Sequence, residues 1–282
     1  MSENAILLVQ CPDRKGLVAS VGGFIFANGG NILRLDQYSA SPDHKFFMRV
    51  EWELEGFALS KAALAEAMPR LASKLGITYE LFFTSERLRM AVLVSKQDHC
   101  LFDLLLRRRA GEIDVEIPAI LSNHDDLREV AGMFGVPFHH FPAGADAASQ
   151  ERQMLEVLAR EKADFVVLAR YMRILSPAFV ARYPRRIINV HHSFLPAFSG
   201  AKPYQQAYDR GVKIIGATSH FVTEDLDEGP IIEQDVVRVD HRHSVEDLVR
   251  LGADVERAVL SRAVQWHCED RVIRDGNQTA VF

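Results

Sequence analysis

The sequence predicts an α/β protein of two domains: a βαββαβ unit over residues 1–84, then a mostly parallel sheet covered by helices over residues 85–282. Three observations predict it. At 282 residues the chain is long for a single core. The first eighty-odd residues interleave four strand-like runs with two helical patterns. Beyond them apolar runs alternate with helical patterns, as in a parallel sheet buried on both faces.

Composition bounds the function. An apolar share of 48% with 25% charged residues is that of an ordinary globular protein. The net charge of −5 argues against nucleic acid as a partner, because phosphate binding calls for a basic face. The clusters Arg107-Arg108-Arg109 and Arg185-Arg186 read as solvated helix ends or loops. Cys11, Cys100 and Cys268 are odd in number and far apart, so neither a disulfide framework nor a zinc ribbon is readable. A reducing, cytoplasmic setting with buried thiols is expected. The N-terminus has no basic region ahead of its short apolar run, and no stretch is long enough to span a bilayer, so no signal peptide and no membrane partner are expected.

In the first domain, residues 5–11 read as a buried strand and residues 16–28 as a helix ended by Gly29-Gly30. Strands follow at 32–39 and 46–54, joined by the turn Ser41-Pro42-Asp43. An Ala- and Leu-rich helix at 60–75 and a strand at 77–83 complete a ferredoxin-like order. The loop Cys11-Pro12-Asp13-Arg14-Lys15-Gly16-Leu17, followed by Gly29-Gly30-Asn31-Ile32, resembles the ACT domain. On the residues alone, Asp13 reads as a helix cap and the glycines as turn formers. The free N–H groups of such a strand-to-helix turn also suit a carboxylate. The resemblance implies a small regulator, an amino acid such as methionine or glycine, held by Asp13, Arg14, Gly16, Asn31 and Ile32. Family members often bind it between copies, which implies a homo-oligomer.

A polar hinge, Thr84-Ser85-Glu86-Arg87, opens the second domain. Strands are expected at 89–95, 115–121, 137–141 and 164–169, with helices at 100–109, 125–134 and 150–161 and a loop at 142–148. Ligands of such sheets bind beyond the carboxyl ends of the strands. The first strand ends in Ser95-Lys96-Gln97-Asp98-His99, which has no glycine and so no flexible phosphate cradle. The second ends in Ser122-Asn123-His124, read as a cap for the next helix rather than as chemistry. Leu168 to Pro177 ends with Ser176 as N-cap and Pro177 at the first helical position; its apolar residues follow a central strand, where a flat heterocycle would sit.

The richest stretch runs from Asn189 to Asp235. An apolar run at 186–190 delivers Asn189, His191 and His192 to a turn containing Pro196 and Gly200. A second run at 212–222 leads into the acidic loop Glu224, Asp225, Asp227 and Glu228, closed by Gly229-Pro230. An amide donor, imidazoles and carboxylates at successive strand ends are the equipment of acyl-group chemistry. Metal binding by His191, His192, His220, His241 and His243 is rejected, since no ligand spacing such as H-E-x-x-H supports it. A strand at 231–239, a capping box Ser244-Val245-Glu246-Asp247 opening a helix to about His267, and a closing hairpin around Asp275-Gly276-Asn277 finish the chain.

The segments Asn189 to Pro196, His220 to Ile232 and LARYMRILSP are similar to those of the formyltetrahydrofolate-using formyltransferase and hydrolase family, over essentially all of residues 86–282. The resemblance implies a Rossmann-like formyltransferase domain whose catalytic Asn, His and Asp fall on Asn189, His191 and Asp227. It places Tyr171, Met172, Arg173, Leu175, Thr223 and Glu224 around the pteridine of 10-formyltetrahydrofolate, which is substrate rather than cofactor; His192 reads either as lining the substrate site or as a partner behind it. No metal and no bound cofactor are implied. Two features favour water over an amine as acceptor: the glycine-free turn at Ser95, and the doublet His191-His192 where the transferases usually carry His-Pro. The expected reaction is hydrolysis to formate and tetrahydrofolate, with formate feeding purine synthesis. Transfer to an amine such as glycinamide ribonucleotide, and a non-catalytic amino-acid sensor, are the alternatives; the intact trio argues against the second.

Overall fold

The computed structural model describes residues 3–40, 43–142, 146–197 and 203–282. The expected turn at Ser41-Pro42, the middle of the 142–148 loop and Gly200 lie outside the described residues. Two compact units divide the chain: Met1–Arg87 with Glu269–Asp275 and Ala280–Phe282, and Leu88–Cys268 with Gly276–Thr279.

The first unit runs β1 (Asn4–Pro12), α1 (Leu17–Ala27), β2 (Ile32–Ala40), β3 (Lys45–Glu53), α2 (Lys61–Leu75) and β4 (Thr78–Phe83). Its sheet has the order β2-β3-β1-β4, antiparallel throughout. Strand β1 is apolar on both faces, and each face has a cover. Ala5, Leu7, Val9 and Cys11 pack with Leu17, Val21, Ile25, Leu64 and Met68 from the two helices. Ile6 and Leu8, on the other face, cluster with Phe47, Ile273, Ala280 and Phe282. The expected domain of residues 85–282 is thus corrected at its end: the sheet's second apolar face takes the C-terminal strands as its lid.

A second correction concerns Asp13. The N-cap of α1 is Gly16, at φ +91°, with no side-chain cap; Asp13 is exposed and its N–H donates to the His44 carbonyl (2.6 Å). The left-handed backbone there accounts for the glycine.

The second unit contains β5 (Met90–Val94), α3 (His99–Ala110), β6 (Ile120–Ser122), α4 (Arg128–Met133), β7 (Phe138–His140), α5 (Ala147–Arg160), β8 (Phe165–Ala169), α6 (Pro177–Val180), β9 (Ile187–His191), α7 (Pro203–Asp209), β10 (Ile214–Phe221), β11 (Ile231–Arg238) and α8 (Val245–Cys268). Its seven strands are ordered β11-β10-β9-β8-β5-β6-β7. The five from β9 to β7 are parallel, and β10 and β11 are added antiparallel. The chain goes from β5 out to β6 and β7, then returns to β8 and β9 on the other side. This reversal opens a crevice between the carboxyl ends of β5 and β8. Two further strands, β12 (Val272–Asp275) and β13 (Gln278–Val281), form the closing hairpin.

Several elements differ from expectation for local reasons. The strand expected at 115–121 joins the ladder only at Ile120–Ser122, with a lone bridge from Glu116 to Arg89. Ser122-Asn123-His124 does not cap α4, whose N-cap Leu127 makes no side-chain bond. Instead Ser122 Oγ accepts from the His124 N–H (3.1 Å), and Asn123 Oδ1 accepts from Ser95 Oγ (2.7 Å). Helix α5 starts early because Asp146 caps it, accepting from the Ser149 N–H at 3.1 Å. Helix α7 has no counterpart in the sequence reading. Ser176 caps α6 ahead of Pro177, accepting from the Phe179 N–H at 3.2 Å. Ser244 and Asp247 cap α8 reciprocally, at 3.2 and 3.0 Å.

Candidate active site

Asn189 and His191 are two residues apart on β9, so they face the same side of the sheet. Strand β10 pairs with β9 so that His220 lies opposite Asn189 and Thr218 opposite His191, which adds His220 to that face. Thr218 Oγ1 donates to the Ser193 carbonyl (2.9 Å) and accepts from the Leu195 N–H (3.0 Å), fixing the turn after His192. Beyond β10 the loop folds back tightly, and the Phe221 N–H donates to the Pro230 carbonyl at 2.9 Å. A Cβ on Gly229 would stand 1.7 Å from the Phe221 carbonyl oxygen, so only glycine fits there. At the turn of this loop Asp227 takes φ +58° and reaches back to the imidazoles.

The resulting geometry is specific. Asp227 Oδ2 lies 3.2 Å from His191 Nδ1 and its Oδ1 lies 3.6 Å from His220 Nε2. Asn189 Nδ2 lies 3.1 Å from His220 Nε2, while His220 Nδ1 lies 3.0 Å from the Phe221 carbonyl. That carbonyl requires a proton on His220 Nδ1, so in the neutral ring Nε2 accepts from Asn189 and orients its amide. His191 by the same logic donates Nδ1–H to Asp227, leaving Nε2 as the basic nitrogen. That nitrogen is buried and has no partner among the described residues.

Burial pushes the Asp227 carboxyl up, but the opposing effects, led by the hydrogen bond from His191, outweigh it and hold the group well below the usual carboxylate range. The ring of His192, 5.1 Å from that of His191, is pushed down to about 4 by burial and by the neighbouring Arg170 cation, so it stays neutral.

A cleft of about 230 Å³ opens against this face. Its lining contains each expected site residue of this unit: Asn189, His191 and Asp227, then Tyr171, Met172, Arg173, Leu175, His192, Thr223 and Glu224. One wall is the segment after β8. Ser95 Oγ, at the end of β5, accepts from the Met172 N–H (3.0 Å) while donating to Asn123, which ties that wall to the crevice. Arg173 Nη1 donates to Gln150 (2.7 Å), Leu175 is buried in the core, and Met172 and Ile174 are exposed apolar side chains at 58% and 73%. Exposed apolar residues rimming a polar floor suit a ligand with a flat, partly apolar body. On the opposite wall Thr223 Oγ1 donates to the Asp225 carbonyl at 3.0 Å.

His220 and Arg170 were missed as site residues in the sequence. His220 becomes visible only through the β9–β10 register, and Arg170 through its burial beside the cleft.

In the first unit, Asp13, Arg14, Gly16, Asn31 and Ile32 are all exposed. Arg14 donates to the Leu75 carbonyl and Asn31 to Glu53 Oε2 at 3.0 Å. Among the described residues, His99, Cys100 and Glu256 come together with ligand-like atoms. Glu256 already accepts from Tyr204 Oη (2.6 Å), pairs with His99 (2.8 Å) and has Arg170 Nε at 3.4 Å. Burial, reinforced by Glu256, pushes the Cys100 thiol well above its ordinary range. The cluster reads as a hydrogen-bonded network with its own cation rather than as a metal centre.

The family model described as formyl transferase matches residues 88–264. A formyltetrahydrofolate deformylase of Synechocystis sp. is 51% identical over 279 residues, covering 99% of this chain and 98% of its own. The crystal structure of a formyltetrahydrofolate deformylase from Pseudomonas syringae superposes with a TM-score of 0.96 at 42% identity, covering 100% of this chain and 95% of that one. Glycinamide ribonucleotide transformylase 1 from Symbiobacterium toebii, at 32% identity and a TM-score of 0.68, covers 72% of this chain and 98% of its own.

Proposed function

The chain belongs to the formyl transferase family, and from that membership we propose that it hydrolyses 10-formyltetrahydrofolate to formate and tetrahydrofolate. The observation that carries the chemistry is the single face holding Asn189, His191 with its unpartnered Nε2, and Asp227.

The pteridine lies between the exposed apolar wall at Met172 and Ile174 and the loop at Thr223 and Glu224. Water, relieved of a proton by His191 Nε2, attacks the formyl carbon. The charge that gathers on the formyl oxygen is met by the Asn189 amide, held in orientation by His220. Asp227 fixes the ring of His191 and balances the charge it acquires. The bond from carbon to N10 then breaks, N10 takes the proton from His191, and formate leaves. Formate supply to purine synthesis is the corresponding cellular role, in the cytoplasm.

The first unit is read as an ACT regulatory domain. An amino acid such as methionine or glycine binds at Asp13, Arg14, Gly16, Asn31 and Ile32, between copies of a homo-oligomer. Neither metal nor bound cofactor takes part in this reading.

The test is release of formate from 10-formyltetrahydrofolate with no amine present. Formate and tetrahydrofolate in equal amounts are expected. Tetrahydrofolate appearing only after an amine is added would overturn the hydrolytic reading. A rate unchanged by methionine and by glycine would count against those two effectors.

A further inference from the structure

A second chamber, of about 470 Å³, adjoins the cleft and shares Arg170 and His192 with it. Its remaining wall comes from the turn after β5, from Tyr204 at the start of α7 and from Glu256 on α8. Arg170 is anomalous in three ways. Its φ is +60°, a region that favours glycine or asparagine. Its side chain is 7% exposed. Among the described residues its guanidinium makes one hydrogen bond, from Nε to Gln97, and Nη1 is buried with no partner. The buried Glu256 carboxylate lies 3.4 Å from Nε and pairs with it, but Tyr204 and His99 hold that carboxylate as well, and Nη1 is left unspent. A strained backbone carrying an unspent buried donor marks a residue kept for function rather than for packing.

We propose that Arg170 decides the acceptor: it stands as a fixed cation between the second chamber and the formyl site, admitting water and turning amines away. The proposal rests on the hydrolase reading and deepens it. With folate filling the cleft, an amine bearing any substituent needs room on the other side of the formyl carbon, and the second chamber offers that room behind Arg170. At neutral pH such an amine travels mainly as the ammonium ion; the guanidinium repels it and cancels the Glu256 carboxylate of the same chamber, which would otherwise draw it in. Water is small and neutral, and the formate produced is an anion that the same cation draws off. The chemistry is otherwise alike for both acceptors. The lone pair of oxygen or nitrogen attacks the formyl carbon, the carbon–N10 bond breaks with its electrons going to N10, and the acceptor's proton ends there. The products are formate or an N-formyl amine, with tetrahydrofolate in each case.

The experiment follows the partition of a ¹³C-labelled formyl group between formate and N-formylglycinamide, with glycinamide supplied in excess. The wild-type chain is expected to give formate alone. Arg170→Gly and Arg170→Asn both accept the left-handed backbone. They should raise the ratio of N-formyl product to formate by about tenfold or more, the factor carried by about 1.4 kcal/mol of removed repulsion. Arg170→Lys should stay near wild type because the charge remains. Gln97 is exposed and contacts Arg170 directly, so Gln97→Glu sets a second carboxylate beside the cation without altering its backbone and should shift the ratio the same way. An unchanged ratio in Gln97→Glu and in whichever neutral variant folds overturns the proposal, as does a lysine variant as permissive as glycine. Failure of the hydrolase reading looks different: the wild-type chain then makes no formate without amine.

Discussion

Asp227 Oδ2 lies 3.2 Å from His191 Nδ1, and Asp227 makes that contact from a left-handed backbone at φ +58°. Asparagine tolerates the same backbone region, so Asp227→Asn removes the charge while keeping the loop. The variant is expected to lose about 10²–10⁴ in kcat, the scale of a general acid–base contribution, with little change in tetrahydrofolate affinity. Single-turnover formate release alongside equilibrium folate binding measures the two. Turnover at the wild-type rate would remove Asp227 from the mechanism.

The Asn189 amide has a partner of its own in His220, at 3.1 Å. Asn189→Ala should cost about 10²–10³ in kcat, as for the loss of one oxyanion donor. His220→Phe keeps the ring volume but frees the amide to rotate. It should lower kcat by about tenfold, with KM nearly constant, because only the charged intermediate needs the oriented N–H. A change confined to KM would assign His220 to substrate binding instead.

What the sequence disclosed and what it hid separate along physical lines. Asn189 and His191 obey the period of two, and Gly229-Pro230 announced a loop closure, so that wall of the site was legible. His220 was not, because its place depends on a partner strand and on a register shift between Ser219 and His220 against β11. Local chemistry also misled where backbone geometry overrode it. Gly16 at φ +91° starts α1 without needing Asp13, and Leu127 starts α4 without a polar cap. Helix α7, PYQQAYD, is too short and polar to show a period, though Tyr204 and Ala207 are buried. The terminal strands sit with the first unit because Ile6 and Leu8 needed an apolar cover, a demand made far away in the sequence.

Gly252 gives a prediction opposite in sign to helix propensity. In the interior of α8, replacing glycine by alanine would ordinarily stabilise by about 1 kcal/mol. Here the new Cβ would stand 2.0 Å from Tyr204 Oη and 2.3 Å from its Cζ, and that hydroxyl lies 2.6 Å from Glu256. The ring is buried and must move. Gly252→Ala should therefore destabilise by about 1–3 kcal/mol, as overpacked cores do. Denaturant unfolding reads the sign directly, and a more stable variant would show that Tyr204 has room to give.

Arg49, 5% exposed on β3, donates to the carbonyls of Glu269 and Asp270 at 3.1 Å each and to Glu51 Oε2 at the same distance. The side chain of Asp270 gains much less from it. Burial pushes that carboxyl up to about 7; the Arg49 cation opposes the shift, and Glu80, Glu51 and Glu86 add to it. The unfolded chain releases this proton near its ordinary value of 3.8, so between pH 3.8 and about 7 the folded protein holds more protons. Stability must then fall as pH rises through that window, by up to about 1.4 kcal/mol per pH unit. Above it the full cost of a buried carboxylate is present. Asp270→Asn removes the titration and suits the φ of +50° at this position. Its Tm should match wild type near pH 4 and exceed it by several degrees at pH 8, a difference on the order of 2–4 kcal/mol. Thermal melts of both proteins at the two pH values decide it. An advantage that is equal at both, or larger in acid, would mean that Asp270 ionises in the fold as freely as it does in water.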